Sequence, residues 1–219
     1  MHFDILVEDV SGKEALEIIV PKIINCDEHT FTVHAYKGIG KIPENMNANV
    51  DASKRILLSN LPRLLRGYGT VHAKNRHYPM ALIIVCDLDS KVKSDFIQEL
   101  NEVLLSCDPR PNAQFCIAIE EGEAWFLGDI PAIKRTYNNA KDAILNAYVN
   151  DSICGTWELL ADAVYDGGAK KLKEQGWCAA GAEKSKWAKD ISPFMNVNAN
   201  KSPSFISFRD TLLTLANGT

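Results

Sequence analysis

The chain has 219 residues and a formal net charge of −4, and 46% of its residues are hydrophobic. These values exclude a disordered chain and are typical of a globular protein with its own core. The six cysteines contain no CxxC pair, which argues against a zinc knuckle or dithiol redox motif and favours a reducing, cytoplasmic setting. Acid replaces the basic start of a signal peptide, and no apolar run nears the ~20 residues of a membrane span, so we expect no membrane association.

Strand and helix patterns alternate in the first part of the chain. Apolar and β-branched runs predict strands at 3–7, 31–36, 80–86 and 115–119, and helical spacing predicts helices at 12–24, 54–65 and 94–105. Beyond residue 130 only helical patterns remain, at 130–148, 157–174, 183–194 and 204–216. We therefore expect an α/β fold with a mostly parallel sheet of about four strands flanked by helices. Residues 1–130 would form this core, and 131–219 a helical C-terminal extension packed on it.

Acidic residues follow three of the four predicted strands: Glu8 and Asp9, Asp87 and Asp89, and Glu120, Glu121 and Glu123. The carboxyl ends of parallel strands share one edge of a sheet, where ligands bind, so these carboxylates would meet in one crevice. Such a cluster repels itself unless protons or a divalent cation neutralise it, and Mg²⁺ prefers oxygen ligands. Helix capping is the alternative role for Asp87, Asp89 or Ser90. Ser11 is the expected N-cap of the first helix, with Glu14 at the spacing of a capping box.

A basic segment lies between Ser53 and Cys86, where the sequence contains no acidic residue. In an otherwise acidic protein, a run of one charge sign is a candidate surface for an anion such as nucleic acid. The alternative is a solvated helix face whose acidic partners come from elsewhere in the fold. The residues expected to contact nucleic acid are Lys54, Arg55, Arg63, Arg66, Lys74 and Arg76.

At these positions the sequence resembles the Toprim domain, the Mg²⁺-binding module of topoisomerases, primases and OLD-type nucleases. Its pattern is a first strand ending in Glu, a Gly after the second strand and DxD after the third, matched here by Glu8, Gly38, and Asp87 with Asp89. The resemblance implies that Glu8 is the catalytic acid/base or a metal ligand and that the two aspartates hold Mg²⁺ (or Mn²⁺). Asp9 replaces a common Gly, and Lys91 replaces a third aspartate found in several Toprim proteins, a gap that Glu120, Glu121 or Glu123 could fill.

The resemblance is closer to a bacterial Toprim-related family of unknown function. It is carried by the stretches VEDVSGKEALEIIVPKI, LPRLLRGYGTVH, IIVCDLDS, IEEGEAWFLGD and NKSPSFISFRDTL. Relatives of that family lie beside AAA/ABC-type ATPases in loci that resemble phage-defence systems. The resemblance therefore implies an ATPase protein partner and an effector role in antiviral defence.

Three functions remain open from the sequence. The first is a Mg²⁺-dependent nuclease that hydrolyses phosphodiester bonds of DNA or RNA, with Glu8 assisting the attacking water. The second is a DxD-type glycosyltransferase that binds a nucleotide sugar through a divalent cation. The third is a non-catalytic nucleic-acid-binding or regulatory subunit of an ATPase complex, in which the acidic cluster has no catalytic role.

Overall fold

A computed structural model describes residues 1–45 and 51–218, and shows four parallel strands in the order β2-β1-β3-β4. The strands are β1 (His2–Val7), β2 (Thr30–Ala35), β3 (Met80–Asp87) and β4 (Ala113–Ala118). In the sheet, Val7 lies opposite Ala35 of β2 and opposite Val85 of β3. The carboxyl ends of these three strands therefore lie at the same edge of the sheet. The expected α/β fold with a four-stranded parallel sheet is confirmed.

Ten α-helices surround this sheet in the part of the chain that the structure describes. The first three connect strands: α1 (Val10–Ile19), α2 (Leu57–Lys74) and α3 (Lys93–Leu105). The others follow β4: α4 (Glu123–Leu127), α5 (Ile130–Thr136), α6 (Asp142–Ala147), α7 (Thr156–Val164), α8 (Gly168–Glu174), α9 (Trp177–Ile191) and α10 (Pro203–Asn217). None of the described helices has the length and apolar character needed to cross a membrane.

Alternating side chains of the strands supply two hydrophobic cores, one on each face of the sheet. Leu6, Leu82 and Ile84 pack against the apolar stripes of α2 and α3. Phe3 and Ile5, with their neighbours of the same orientation, pack against α1 and the helices that follow residue 130. The helices beyond residue 130 therefore share a hydrophobic core with one face of the sheet.

Several predicted helices have different limits in the structure. The predicted helix at 157–174 is two helices, because Gly167 and Gly168 adopt left-handed conformations (φ +84° and +66°) between α7 and α8. The predicted helix at 130–148 is likewise divided into α5 and α6, and α2 continues to Lys74 beyond the predicted end at residue 65. Glycines weaken the helical pattern in the second half of α2, which is why the prediction ended too early. Gly69 is required there because a Cβ at this position would collide with the carbonyl oxygen of Pro109.

Candidate active site at the carboxyl edge of the sheet

Two carboxylates meet where β1 and β3 end. Glu8 follows the last residue of β1, Asp87 is the last residue of β3, and these two strands are hydrogen-bonded neighbours. The side chains of Glu8 and Asp87 lie close enough for each to shift the pKa of the other. Two carboxylates this close share a hydrogen bond only if one carries a proton, so two negative charges are unfavourable here unless a cation neutralises them.

Burial and mutual repulsion make both groups hard to ionise. Burial raises the pKa of Glu8, and the charges of Asp9 and Asp89 raise it further, against the hydrogen bond from Asp87. Burial raises the pKa of Asp87 well above its usual range, and Glu8 adds to this effect. The Oε2 atom of Glu8 is buried and has no hydrogen-bond partner among the described residues. The pair therefore favours a bound proton or cation.

A lysine from a distant part of the chain enters this cluster. Lys184 of α9 places its Nζ 3.3 Å from Glu123 and 3.7 Å from Glu121. Burial by itself lowers the pKa of Lys184, but the charges of Glu123 and Glu121, followed by those of Asp87 and Asp9, leave it raised. Lys184 is therefore a fixed positive charge inside the carboxylate cluster.

The sequence interpretation did not include Lys184 among the site residues. The signal that could have identified it is its place on α9, where the spacing of Ala180, Ala188 and Ile191 marks a buried stripe that also includes Lys184. A lysine on a buried stripe needs a partner for its charge, and the strand-end acids are such partners.

The two glutamates bound to Lys184 are themselves perturbed. Burial raises the pKa of Glu121 to about 7, despite the opposing charge of Lys184. Glu123 begins α4 and is almost completely buried, and this burial raises its pKa. The hydroxyl of Thr156 also donates to Glu121, over 3.5 Å. The cluster thus changes its charge near neutral pH.

The side chain of Glu120, a predicted metal ligand, binds backbone N–H groups at the start of α7. Its carboxylate accepts hydrogen bonds from the backbone N–H groups of Cys154, Gly155 and Thr156 at 2.8–3.1 Å. Negative charge is favourable at a helix N-terminus, and Thr156 begins α7. The structure therefore uses Glu120 to hold the start of α7.

Asp89, the second aspartate of the DxD motif, lies in a turn that follows β3. Its backbone is left-handed (φ +49°), so the chain is not extended from Asp87 to Asp89 and strand alternation does not place their side chains on one side. The Asp89 carboxylate is half-exposed and forms an ion pair with Lys91 at 3.6 Å. It remains close enough for its charge to repel Glu8. Asp89 is more exposed than either Glu8 or Asp87.

Asp9 is the N-cap of α1, and the expectation that Ser11 has this role is wrong. Asp9 Oδ1 accepts from the Gly12 N–H at 2.7 Å, and Ser11 donates its hydroxyl to Oδ2 at 2.6 Å. The cap begins the helix at Val10, directly after Glu8 and Asp9. Capping thus fixes the turn that presents Glu8 to the crevice.

Gly38, the glycine of the Toprim-like pattern, anchors the backbone beside Glu8. Its N–H donates to the Glu8 carbonyl oxygen at 2.7 Å, and its own carbonyl accepts from the Leu57 N–H at 3.1 Å. The backbone at Gly38 has φ +99°, a conformation that favours glycine. Gly38 therefore connects the end of β1 to the start of α2 without a side chain.

A cavity of about 50 Å³ lies under the carboxylate pair. Its polar wall includes Glu8, Asp87, Glu123 and Lys184, and α1 supplies much of its apolar wall. This volume is large enough for water, since a single water needs roughly 10–15 Å³. In residues 1–45 and 51–218, no group of three or more His, Cys, Asp or Glu side chains is arranged to hold a metal ion. Any cation here would thus have Glu8 and Asp87 as its protein ligands and water or substrate oxygens for the rest.

The basic segment extends from the carboxyl ends of the strands to their amino ends. Arg55 donates to the carbonyl oxygen of Ala35 at the carboxyl end of β2, with Lys54 beside it in the chain. The 18-residue α2 is roughly 27 Å long and ends at Lys74, near the amino ends of the strands. Lys74 and Arg76 are exposed there, at the opposite edge from Glu8.

The middle of α2 carries the other two predicted arginines. Arg63 donates to the side-chain oxygen of Asn60, over 3.4 Å. Arg66 lies near Cys107, which follows the end of α3. Burial raises the pKa of the Cys107 thiol, and the positive charge of Arg66 opposes that rise. Lys54 and Arg55 thus lie at the same sheet edge as the carboxylates, and the charge of Arg63 acts on Tyr36, which directly follows β2 at that edge.

Comparison of the chain with protein-family models, curated protein sequences and solved structures finds no match.

Proposed function

We propose that this protein is a metal-dependent nuclease that hydrolyses phosphodiester bonds of DNA or RNA with Mg²⁺ or Mn²⁺. The observation that carries the proposal is the partly buried pair of Glu8 and Asp87, which stand at adjacent strand ends with one buried carboxylate oxygen unsatisfied. Perturbed carboxylates that converge in a crevice at a sheet edge are typical of catalytic sites. The Toprim-like order of Glu8, Gly38 and Asp87 supports the same reaction class.

The residues of the crevice fit one divalent cation. Glu8 and Asp87 offer carboxylate oxygens, the ligand type that Mg²⁺ prefers, and the unsatisfied Oε2 atom of Glu8 lacks a partner that a cation would supply. Mg²⁺ usually keeps several waters and needs only one or two carboxylates plus a phosphate oxygen. When bound, the ion would act as a Lewis acid on the phosphoryl group.

Glu8 is the residue best placed to accept a proton. Its raised pKa brings the carboxyl group nearer to neutral pH, where a general base is most effective. In the proposed reaction Glu8 takes a proton from the water that attacks phosphorus, while Asp87, at the end of the neighbouring strand, would be the second carboxylate ligand of the cation.

Lys184 supplies the positive charge that the phosphate requires. Its ammonium group lines the same cavity as Glu8 and Asp87 and is held in place by Glu121 and Glu123. A preorganised cation costs little reorganisation as negative charge develops on the phosphoryl oxygens. We assign Lys184 the role of stabilising that charge, with Lys54 and Arg55 attracting the nucleic-acid backbone to this edge of the sheet.

Cleavage of labelled single- and double-stranded DNA and RNA with Mg²⁺ or Mn²⁺ tests the proposal. We expect Glu8→Ala and Asp87→Ala each to lower the rate by about 10²–10⁴-fold, and Lys184→Met by about 10²–10³-fold. Glu17→Ala is the matched control, because Glu17 lies on α1 outside the cavity and forms an ion pair with Lys13 at 3.5 Å. Activity that survives both Glu8→Ala and Asp87→Ala would refute the proposal.

A second candidate follows from the ion pairs of Lys184. Because this lysine already neutralises part of the acidic cluster, the chain could be a non-catalytic subunit that binds nucleic acid or regulates an ATPase. That function requires neither Glu8 nor a divalent cation. The absence of cleavage together with intact nucleic-acid binding in wild type and Asp87→Ala would favour it.

An AAA/ABC-type ATPase partner and a role in antiviral defence follow from the family resemblance alone. Co-purification of the chain with the product of an adjacent ATPase gene would test the partner. A glycosyltransferase is less consistent with the site, because it would need both aspartates on one cation, whereas Asp89 is half-exposed and forms an ion pair with Lys91.

A further inference from the structure

An exposed tryptophan continues the buried stripe of α9 beyond the sheet. Trp177, the first residue of α9, is 85% exposed, the highest value among the large apolar side chains that the structure describes. Residues 177, 180, 184, 188 and 191 have helical spacing that places them on one face. The small and apolar members from Ala180 onward are buried, so Trp177 is the uncovered end of a stripe that otherwise faces the core.

The same stripe connects Trp177 to the carboxylate crevice. Trp177 and Lys184 are seven residues apart, which is two turns of helix and about 10.5 Å along the axis. Ala180, which lies on the stripe between them, is buried, but the adjacent Gly181 is exposed and an added Cβ there would meet nothing within 4 Å. A ligand that extends from the indole toward Lys184 would therefore pass over Gly181, beside the stripe.

The segment that carries Trp177 is basic in an acidic protein. Residues 168–191 contain six lysines and three acidic residues, a net charge of +3 in a chain of net charge −4. Most of these lysines form ion pairs, but exposed pairs of this kind are weak and are screened by salt. None of the described residues forms an ion pair with Lys170, on the helix just before Trp177. Acids of neighbouring elements thus offset much of this charge, and Lys170 together with the weakly paired lysines of α8 offers positive charge to a phosphate chain.

We propose that Trp177 stacks against an unpaired base of single-stranded nucleic acid whose backbone enters the crevice near Lys184. The inference rests on the proposed nuclease function and narrows its substrate to single strands. Indole rings stack on any base, because every base has a π-face, so the contact selects for an unpaired strand rather than a sequence. A separation of about 10.5 Å corresponds to roughly three nucleotides at 3.4 Å per nucleotide of one strand.

Binding of a fluorescently labelled twelve-nucleotide oligothymidylate, measured by anisotropy in EDTA and low salt, tests the inference without catalysis. We expect Trp177→Ala to weaken binding about five- to 150-fold, the range that corresponds to the loss of one stacked base. Trp177→Phe keeps an aromatic face and should stay within about threefold of wild type. Val149→Ala, which truncates another exposed apolar residue, is the matched control and should bind as wild type does.

Tryptophan fluorescence gives a second readout. Trp177 is the exposed one of four tryptophans, since Trp125, Trp157 and Trp187 are at most 6% exposed. Stacking should therefore quench wild-type emission, with little quenching in Trp177→Phe. Equal affinity of wild type and Trp177→Ala for the oligonucleotide would overturn the inference, as expected if Trp177 docks a protein instead. Equal losses for single strand and duplex would also overturn it.

These results are independent of the cleavage assay. Asp87→Ala should lose cleavage but keep its affinity for the oligonucleotide in EDTA, because the stacking contact does not involve Asp87. If Asp87→Ala cleaves normally while Trp177→Ala loses single-strand affinity, the proposed nuclease site is wrong and the stacking surface stands.

Discussion

The replacement Glu121→Gln should remove a pH dependence of stability that the crevice creates. Burial raises the pKa of Glu121 from an ordinary 4.5 to about 7 in the folded chain. Between these two values the folded state keeps a proton that the unfolded state has lost, so the stability of the folded state falls as pH rises through this window. The two pKa values differ by about 2.5, which corresponds to about 3.4 kcal/mol at 1.36 kcal/mol per pKa unit. Glu121 is partly exposed, and solvent screening reduces this to about 1–2 kcal/mol.

Urea unfolding at pH 4.5 and pH 8, followed by tryptophan fluorescence, measures this effect. Glutamine cannot ionise, so the free energy of unfolding of Glu121→Gln relative to wild type should rise by about 1–2 kcal/mol between the two pH values. Lys184 keeps Glu123 as an ion-pair partner in this variant. Glu17→Gln, at the exposed Glu17 of α1, is the control and should follow the wild-type profile. Parallel profiles of Glu121→Gln and wild type would show that the crevice does not raise this pKa.

Further predictions concern the parts of the fold that hold the crevice. Glu120→Ala removes the acceptor of the backbone N–H groups at the start of α7 and should lower the free energy of unfolding by about 1–3 kcal/mol, measured in urea. Asp151→Ala should cost about 1–2 kcal/mol in the same assay, because Asp151 accepts the Ser204 N–H at the start of α10. Gly128→Ala should destabilise by about 1–3 kcal/mol, since its Cβ would collide with Asn200, whereas Gly181→Ala should stabilise by about 0.5–1 kcal/mol. If thermal unfolding showed Gly128→Ala to be more stable than Gly181→Ala, the close packing of Gly128 against Asn200 would be contradicted.

The strand ends were predictable because a parallel sheet brings its carboxyl ends together whatever the details of packing. Glu8 and Asp87 lie on adjacent strands for this reason, and the alternation of apolar runs with helical spacing was enough to place both. Gly38 was identified only by its place in the Toprim-like pattern. Its physical role, a left-handed link from Glu8 to α2, required the backbone geometry.

The remaining features depend on contacts that no local pattern contains. Lys184 is 97 residues beyond Asp87, and it reaches the cluster only because α9 packs beside α1. Glu120 and Asp89 were grouped with the cluster because each follows a predicted strand, but both adopt left-handed conformations (φ +63° and +49°) that local patterns do not reveal. The basic segment was treated as one surface, although the length of α2 separates its two ends.

Mn²⁺ binding, followed by electron paramagnetic resonance, tests most directly whether Glu8 and Asp87 hold a divalent cation. We expect wild type to bind one Mn²⁺ per chain, and Glu8→Gln and Asp87→Asn each to lose at least about tenfold in affinity, since loss of even an outer-shell partner of a metal ligand costs roughly 10–100-fold. Asp89→Asn should lose less, because Asp89 is half-exposed and paired with Lys91. Wild type that binds no Mn²⁺ at millimolar concentration, or Asp87→Asn that binds it with unchanged affinity, would contradict the account.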